Sequence, residues 1–189
     1  MPPGMFFRAA LKGVEEDPIY RRVRDGAIPQ EFSGRKWIES LWRETAPFLD
    51  WNLSQRAVEK GQGLVQAFAE MYFAHALRAN GVTLVKRKEG EKCDRPDLFA
   101  KDPSVWIEVV APEHGTTANA LENLQIDEVK YLLRLRNAIG SKKDQLNKHA
   151  APTGCIQKGD AAVIAISGAF LQAYDNLPAL SRNVWKAAF

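Results

Sequence analysis

The chain reads as an α/β protein, a sheet with helices packed on both faces. Three observations predict this. Val105-Trp106-Ile107-Glu108-Val109-Val110 and Ala161-Ala162-Val163-Ile164-Ala165-Ile166 are short, almost wholly apolar runs of the kind that form buried strands. A long stretch of helical periodicity separates them. Helices alternating with apolar strands specify a sheet that they cover.

Residues 1–32 mix Pro, Gly and charges, with a basic cluster at Arg21, Arg22 and Arg24, and read as loosely held loop and short helix. Ser33 is placed to cap a helix bearing Trp37, Ile38, Leu41 and Trp42, which should stop near Pro47. A second helix is expected over residues 63–79, rich in Ala, Phe, Met and Leu, with Asn80-Gly81 as its C-terminal stop. Three strands should follow: Val82 to Val85, Asp94 to Ala100, and Val105 to Val110. Pro112 and Gly115 then break the chain. A long helix is expected over residues 121–149, with a bend at Gly140 and an end enforced by Pro152 and Gly154. The apolar run from Ala161 is the fourth strand. The tail, 169–189, is apolar but weakly periodic, and its abrupt end suggests a fragment of a longer protein. Residues 1–60 are expected to form a helical extension packed on a core made by 61–189, because Trp37, Leu41, Trp42 and Trp51 are too apolar to stay exposed.

At 189 residues, 46% hydrophobic and 26% charged, the chain has the composition of an ordinary globular domain and can build a core without disulfides. Its two cysteines and three histidines show no metal-ligand spacing. No apolar stretch approaches a membrane span and the N-terminus lacks a secretory signal, so a cytoplasmic location is expected. A net charge of +3 is too small to identify a nucleic-acid partner, so local basic patches must carry that argument.

The informative residues are charges at apolar positions. Glu108 lies inside a strand that should be buried, where a carboxylate is costly unless paired or bound to a cation. Asp97, eleven residues upstream, lies on the preceding strand. If the two strands are antiparallel neighbours, the carboxylates converge and can hold one hard cation such as Mg²⁺. The alternative is a structural ion pair between Glu108 and a Lys or Arg. Glu70 points along the apolar face carrying Phe73, Ala74 and Leu77, and either joins this site or stays at its rim. On the long helix, Leu132, Leu135, Ile139, Lys142 and Leu146 form one stripe. Lys142 therefore snorkels to the surface or reaches a buried anion. Gln145 is one turn further on. Lys143, rotated about 100° away, reads as an exposed phosphate contact. Arg134, Arg136, Lys86, Arg87 and Lys88 are further candidates for a nucleic-acid backbone, or simply solvated faces. Trp106 is either a stacking platform or core.

The order helix, three strands, helix, strand, with Pro96-Asp97 on the second strand and Glu108 on the third, resembles the PD-(D/E)XK nuclease superfamily over residues 61–168. More narrowly, AEMYFA at 69–74, RPDLF, VWIEVVAPEHG, Lys142 with Gln145, and VIAIS are similar to an uncharacterised bacterial group assigned to it. The resemblance implies a restriction-endonuclease-like core and a phosphodiesterase dependent on Mg²⁺ or Mn²⁺. It implies Asp97, Glu108 and the Val109 main-chain carbonyl as metal ligands, and Glu70 as the acid of the first core helix. The sequence departs from the motif at Val110, where the superfamily has Lys. Some members carry that lysine on the following helix, which points to Lys142. The function expected on this basis is a metal-dependent nuclease acting on nucleic acid, DNA before RNA. The alternatives are a non-catalytic member that binds nucleic acid or a protein, and an unrelated interaction protein docking through Trp37, Trp42 and Trp51.

Overall fold

A computed structural model of the chain describes residues 5–8, 15–26, 29–59, 63–87, 95–111, 128–150 and 154–167. The protein is mixed α/β. In chain order the elements are α1 (Pro18–Asp25), α2 (Pro29–Thr45), a 3₁₀ turn (Ala46–Phe48), α3 (Leu53–Arg56), α4 (Gly63–Ala79), β1 (Leu98–Ala100), β2 (Val105–Val110), α5 (Glu128–His149) and β3 (Ala161–Ile166). Outside the described residues lie the expected strand start at Asp94, the helix start over 121–127, Lys88, the breaks at Pro112, Gly115 and Pro152, and the tail over 169–189.

The sheet order is β1-β2-β3. β1 and β2 are antiparallel, with Leu98 opposite Ile107 and Ala100 opposite Val105, joined by the tight turn at 101–104. β2 and β3 are parallel, in register from Val105 with Ala161 to Val110 with Ile166. β3 is not the buried strand its apolar run suggests: residues 161–163 are exposed and 164–166 half-buried. A parallel pair needs a crossover, and α5 lies within it. Side chains on β2 alternate between two environments. Ile107 and Val109 join the main core with Leu98 and α4. On the other face, Leu135 of α5 packs with Leu132, Ile139 and Ile166. Leu146 is buried too, so the apolar stripe read on this helix does face inward.

The strand expected at Val82 to Val85 is a single antiparallel bridge, Leu84 to Ala100. Backbone bonds from Val85 to Phe99 and from Lys101 to Thr83 flank it, at 2.9 and 3.1 Å. The chain then leaves the sheet, because the Arg87 N–H is taken by the Pro47 carbonyl. The expected second strand is also shorter, beginning at Leu98. Pro96 has no N–H to give to a ladder. Arg87 Nη2 occupies the carbonyls of Pro96 and Asp97, at 2.8 and 3.2 Å.

Ser33 does not cap α2. It lies within the helix, which starts four residues earlier at Pro29. Pro fits a first helical position because the N–H it lacks would have no partner there. The helix ends at Thr45, as Pro47 requires. The described part of residues 1–32 is held more firmly than the sequence suggests. Phe6 and Tyr20 are fully buried, and Phe6 also packs on Trp42. The Glu39 carboxylate accepts from the N–H groups of Phe6 and Phe7, at 3.1 and 2.9 Å. Asp17 caps α1 by accepting from Ile19 and Tyr20. One apolar cluster runs from Phe6 through α2, α3 and α4 to Ala111. Trp42 and Leu41 are buried in it, but Trp37 and Trp51 are 51% and 64% exposed, contrary to expectation. Trp37 rests on Phe68 at 5.3 Å between centroids and leaves its remaining surface to solvent.

Candidate active site

β2 outruns β1, and this mismatch creates the site. Past the Leu98–Ile107 pair, the edge of β2 at 109–111 away from β3 has no strand beside it among the described residues. Buried backbone groups need partners, and two side chains supply them. Asp97, next in line in the β1 register and so opposite Glu108, accepts the Val109 N–H through Oδ2 at 2.7 Å. Gln66 of α4 does the rest. Its Nε2 donates to the Val109 carbonyl at 2.9 Å, and its Oε1 accepts the Ala111 N–H at 3.0 Å. The second hydrogen of Nε2 serves Glu70 Oε1 at 3.0 Å. A helical spacing of four places Gln66 and Glu70 side by side.

Glu70 is 1% exposed, not a rim residue. Its Oε2 has no hydrogen-bond partner among the described residues. Arg56 Nη2 stands 3.8 Å away, too far for a hydrogen bond, and also 3.6 Å from Asp50. Burial, and then the negative charge of Asp97, push Glu70 up to about 8. Asp97 is half-buried and pushed up to about 6, by burial and then by the charge of Glu108. The positive charge of Lys142 and the Val109 N–H act in the opposite direction. The sequence thus collects three carboxylates at the end of one sheet, two of them held above the ordinary range because their charges are crowded and desolvated.

Glu108 is 4% exposed. Lys142 reaches it across the sheet face, Nζ to Oε1, at 2.6 Å. The stripe position chosen from the sequence therefore points at a buried anion, and does not snorkel. Gln145, one turn further, has a buried Oε1 without a hydrogen-bond partner among the described residues. Lys143, Arg134 and Arg136 are exposed on α5 and do not enter the carboxylate cluster. Lys86 is exposed, whereas Arg87 is committed to the backbone at Asp97 and is not a surface contact. Trp106 is core: 6% exposed, stacked on Phe99 at 4.2 Å, with Nε1 donating to Asp160 at 2.9 Å.

The sequence does not single out Gln66 or Arg56, and it offers Arg87 only as a nucleic-acid contact, not as the residue that holds the backbone at Asp97. Gln66 has a signal, its position one helical turn before Glu70. Arg56 and the backbone role of Arg87 have none, because their partners lie at no helical or strand spacing.

The donor set suits a hard divalent cation. Asp97, Glu108 and the Val109 carbonyl offer only oxygen, and the crowded carboxylates carry negative charge that a cation would offset. Among the described residues no group of three or more His, Cys, Asp or Glu is arranged to hold a metal. A cation here would rely on two carboxylates, a carbonyl and its substrate, the ligation Mg²⁺ accepts. Among the described residues no helix is long and apolar enough to cross a membrane. Comparison with known proteins finds no matching family model, no matching curated protein and no matching solved structure.

Proposed function

We propose that the chain is a cytoplasmic metal-dependent nuclease of the PD-(D/E)XK type, hydrolysing phosphodiester bonds in DNA in preference to RNA. The observation that carries this reading is the Lys142–Glu108 contact at 2.6 Å. It brings an amine from α5 to the carboxylate beside Val110, where the motif lacks its own lysine. An antiparallel β1–β2 pair followed by a helical crossover to a parallel β3 supports the same reading.

Asp97, Glu108 and the Val109 carbonyl would hold Mg²⁺ or Mn²⁺, which when bound supplies Lewis-acid charge at the scissile phosphate. The side chains do the remainder. Gln66 fixes the direction of the Val109 carbonyl through its bond at 2.9 Å. Lys142 orients the attacking water and neutralises charge that develops on the phosphoryl oxygens. Glu70, pushed up to about 8, holds a proton near neutral pH and so adds no further negative charge beside Asp97 in that state. Exposed Lys143, Arg134 and Arg136 lie on the helix that delivers Lys142, and there they would track the strand backbone.

One observation favours a second reading, a non-catalytic protein of the same fold that binds nucleic acid or a protein partner. The Lys142–Glu108 pair neutralises the buried acid without any metal ion. Cleavage of labelled DNA duplexes and single strands in Mg²⁺ or Mn²⁺, by wild type and Lys142→Met, decides between them. The nuclease reading expects cleavage by wild type and its loss in the variant. No cleavage with intact cation binding supports the second reading.

A further inference from the structure

We infer that Arg56 is a substrate-binding residue, contacting a phosphate of the nucleic-acid strand that lies against the carboxylate cluster. The inference rests on the nuclease reading and names a contact outside the core to which that reading applies. Lys142 reaches Glu108 from α5, whereas Arg56 approaches Glu70 from α3, beside α4 on the other face of the sheet. A phosphodiester entering the cluster would then meet a cation from each side.

Three features of Arg56 suit that task. Its side chain is 44% exposed although it borders a buried acid, so it stands at the mouth of the site. Its two carboxylate neighbours lie at 3.6 and 3.8 Å, beyond hydrogen-bonding distance. Among the described residues its guanidinium N–H groups make no hydrogen bond, so the planar fork that matches phosphate geometry is available. Its backbone is firmly placed. A Cβ built on Gly63 would lie 2.0 Å from the Arg56 carbonyl oxygen, so only glycine lets the start of α4 approach α3 this closely. The neighbouring Glu70 Oε2 is buried and, among the described residues, lacks a hydrogen-bond partner, which marks this corner as a place for a further polar group.

The simpler alternative is that Arg56 only neutralises Glu70. Binding of a fluorescein-labelled DNA duplex, in Ca²⁺ without Mg²⁺ or Mn²⁺, separates the two. Dissociation constants are measured over a range of KCl for wild type, Arg56→Gln, Arg56→Lys, Glu70→Gln and the Arg56→Gln/Glu70→Gln double variant. A phosphate contact predicts that Arg56→Gln weakens binding about tenfold and lowers the slope of log Kd on log salt by about one. Arg56→Lys should keep the slope and weaken binding about threefold, because the fork is lost but the charge remains. The loss on removing Arg56 should persist when Glu70 is already Gln. Unchanged affinity in Arg56→Gln or in Arg56→Lys, or a loss that vanishes in the Glu70→Gln background, would overturn the inference while leaving the nuclease reading intact. Wild type that neither binds nor cleaves any duplex or single strand would overturn the nuclease reading, and this inference with it.

Discussion

Replacing Glu70 with Gln should stabilise the metal-free protein, and the gain should grow with pH. The Glu70 carboxyl is moved from 4.5 to about 8 by burial and by Asp97. The folded state therefore holds a proton that the unfolded chain has lost. Wherever the folded state binds more protons, stability falls as pH rises. That stability is fully present below the unfolded value of 4.5 and is lost as pH climbs towards about 8. At about 1.4 kcal/mol per pH unit the ceiling is about 5 kcal/mol. Local relaxation and water entry reduce the burial penalty, so about 2–4 kcal/mol is expected at about pH 8. Gln has nearly the same shape and no proton to lose. Its advantage should be near zero at about pH 5 and reach that figure at about pH 8. Asp97, moved from 3.8 to about 6, has the same sign and adds an earlier decline that ends near pH 6. Urea unfolding in EDTA reads both. Wild type should lose stability across both windows, and Glu70→Gln should level off above about pH 6. With a slope of about 2 kcal/mol per molar urea, the midpoints at about pH 8 should differ by about 1–2 M. A flat wild-type profile, or a variant that declines as steeply as wild type, would refute the reasoning.

Four further outcomes follow from the same geometry. Mg²⁺ affinity should fall about tenfold per pH unit below about pH 6, because Asp97 must be ionised to ligate; calorimetry in two buffers of different ionisation enthalpy should count the released proton, and Asp97→Asn should abolish both effects. Asp97→Asn should stabilise the metal-free protein, whereas Glu108→Gln should cost about 1–3 kcal/mol by leaving the Lys142 amine without its partner; thermal melts in EDTA test this opposition of sign. Lys142→Met should lower kcat about 100-fold with no loss of cation affinity, because Glu108 is left free to ligate, while Lys143→Met should raise KM and reduce its salt dependence; steady-state kinetics over a salt series distinguish them. Gln66→Leu should cost about 2–4 kcal/mol in urea unfolding, since Val109 and Ala111 each lose a bond at the end of β2.

The legible parts of this fold are those whose signal is local. α4 and α5 show in helical periodicity and β2 and β3 in continuous apolar runs, and the structure has all four. Asp97 and Glu108 could be matched because the pleat fixes which residues share a face. Lys142 could be matched because it is the one charge on an otherwise apolar stripe. Other features depend on where strands stop, and sequence patterns mark such ends poorly. The 82–85 segment has the apolar pattern of a strand, yet Pro47 takes the Arg87 N–H and draws the chain away after one bridge. Residues 1–32 look loose in composition, but Glu39 binds two backbone N–H groups more than thirty residues away. Trp37 and Trp51 were expected inside because apolar character was equated with burial. Large aromatic residues can leave part of their surface exposed.

The location of the site follows from the end of β1. A strand continuing beyond Leu98 would have paired the 109–111 edge of β2 with ordinary backbone groups. Pro96 prevents that by lacking an N–H, and Arg87 removes two carbonyls from the ladder. The unpaired edge must then be satisfied by side chains, and here those are an acid, Asp97, and an amide, Gln66. Once they are in place, Glu70 is held through Gln66, and Asp97 is brought near Glu108. The crowding of charge that raises Asp97 and Glu70 is therefore a consequence of ending one strand early. Arg87→Lys tests this sequence of causes. Lysine keeps the charge but cannot hold two carbonyls with the same planar fork. Asp97 should then be positioned less firmly, and Mg²⁺ affinity should fall about tenfold although Arg87 is no ligand of the site. Unchanged affinity would show that Asp97 is held by its Val109 bond alone, and that the clamp on the backbone contributes nothing to the cluster.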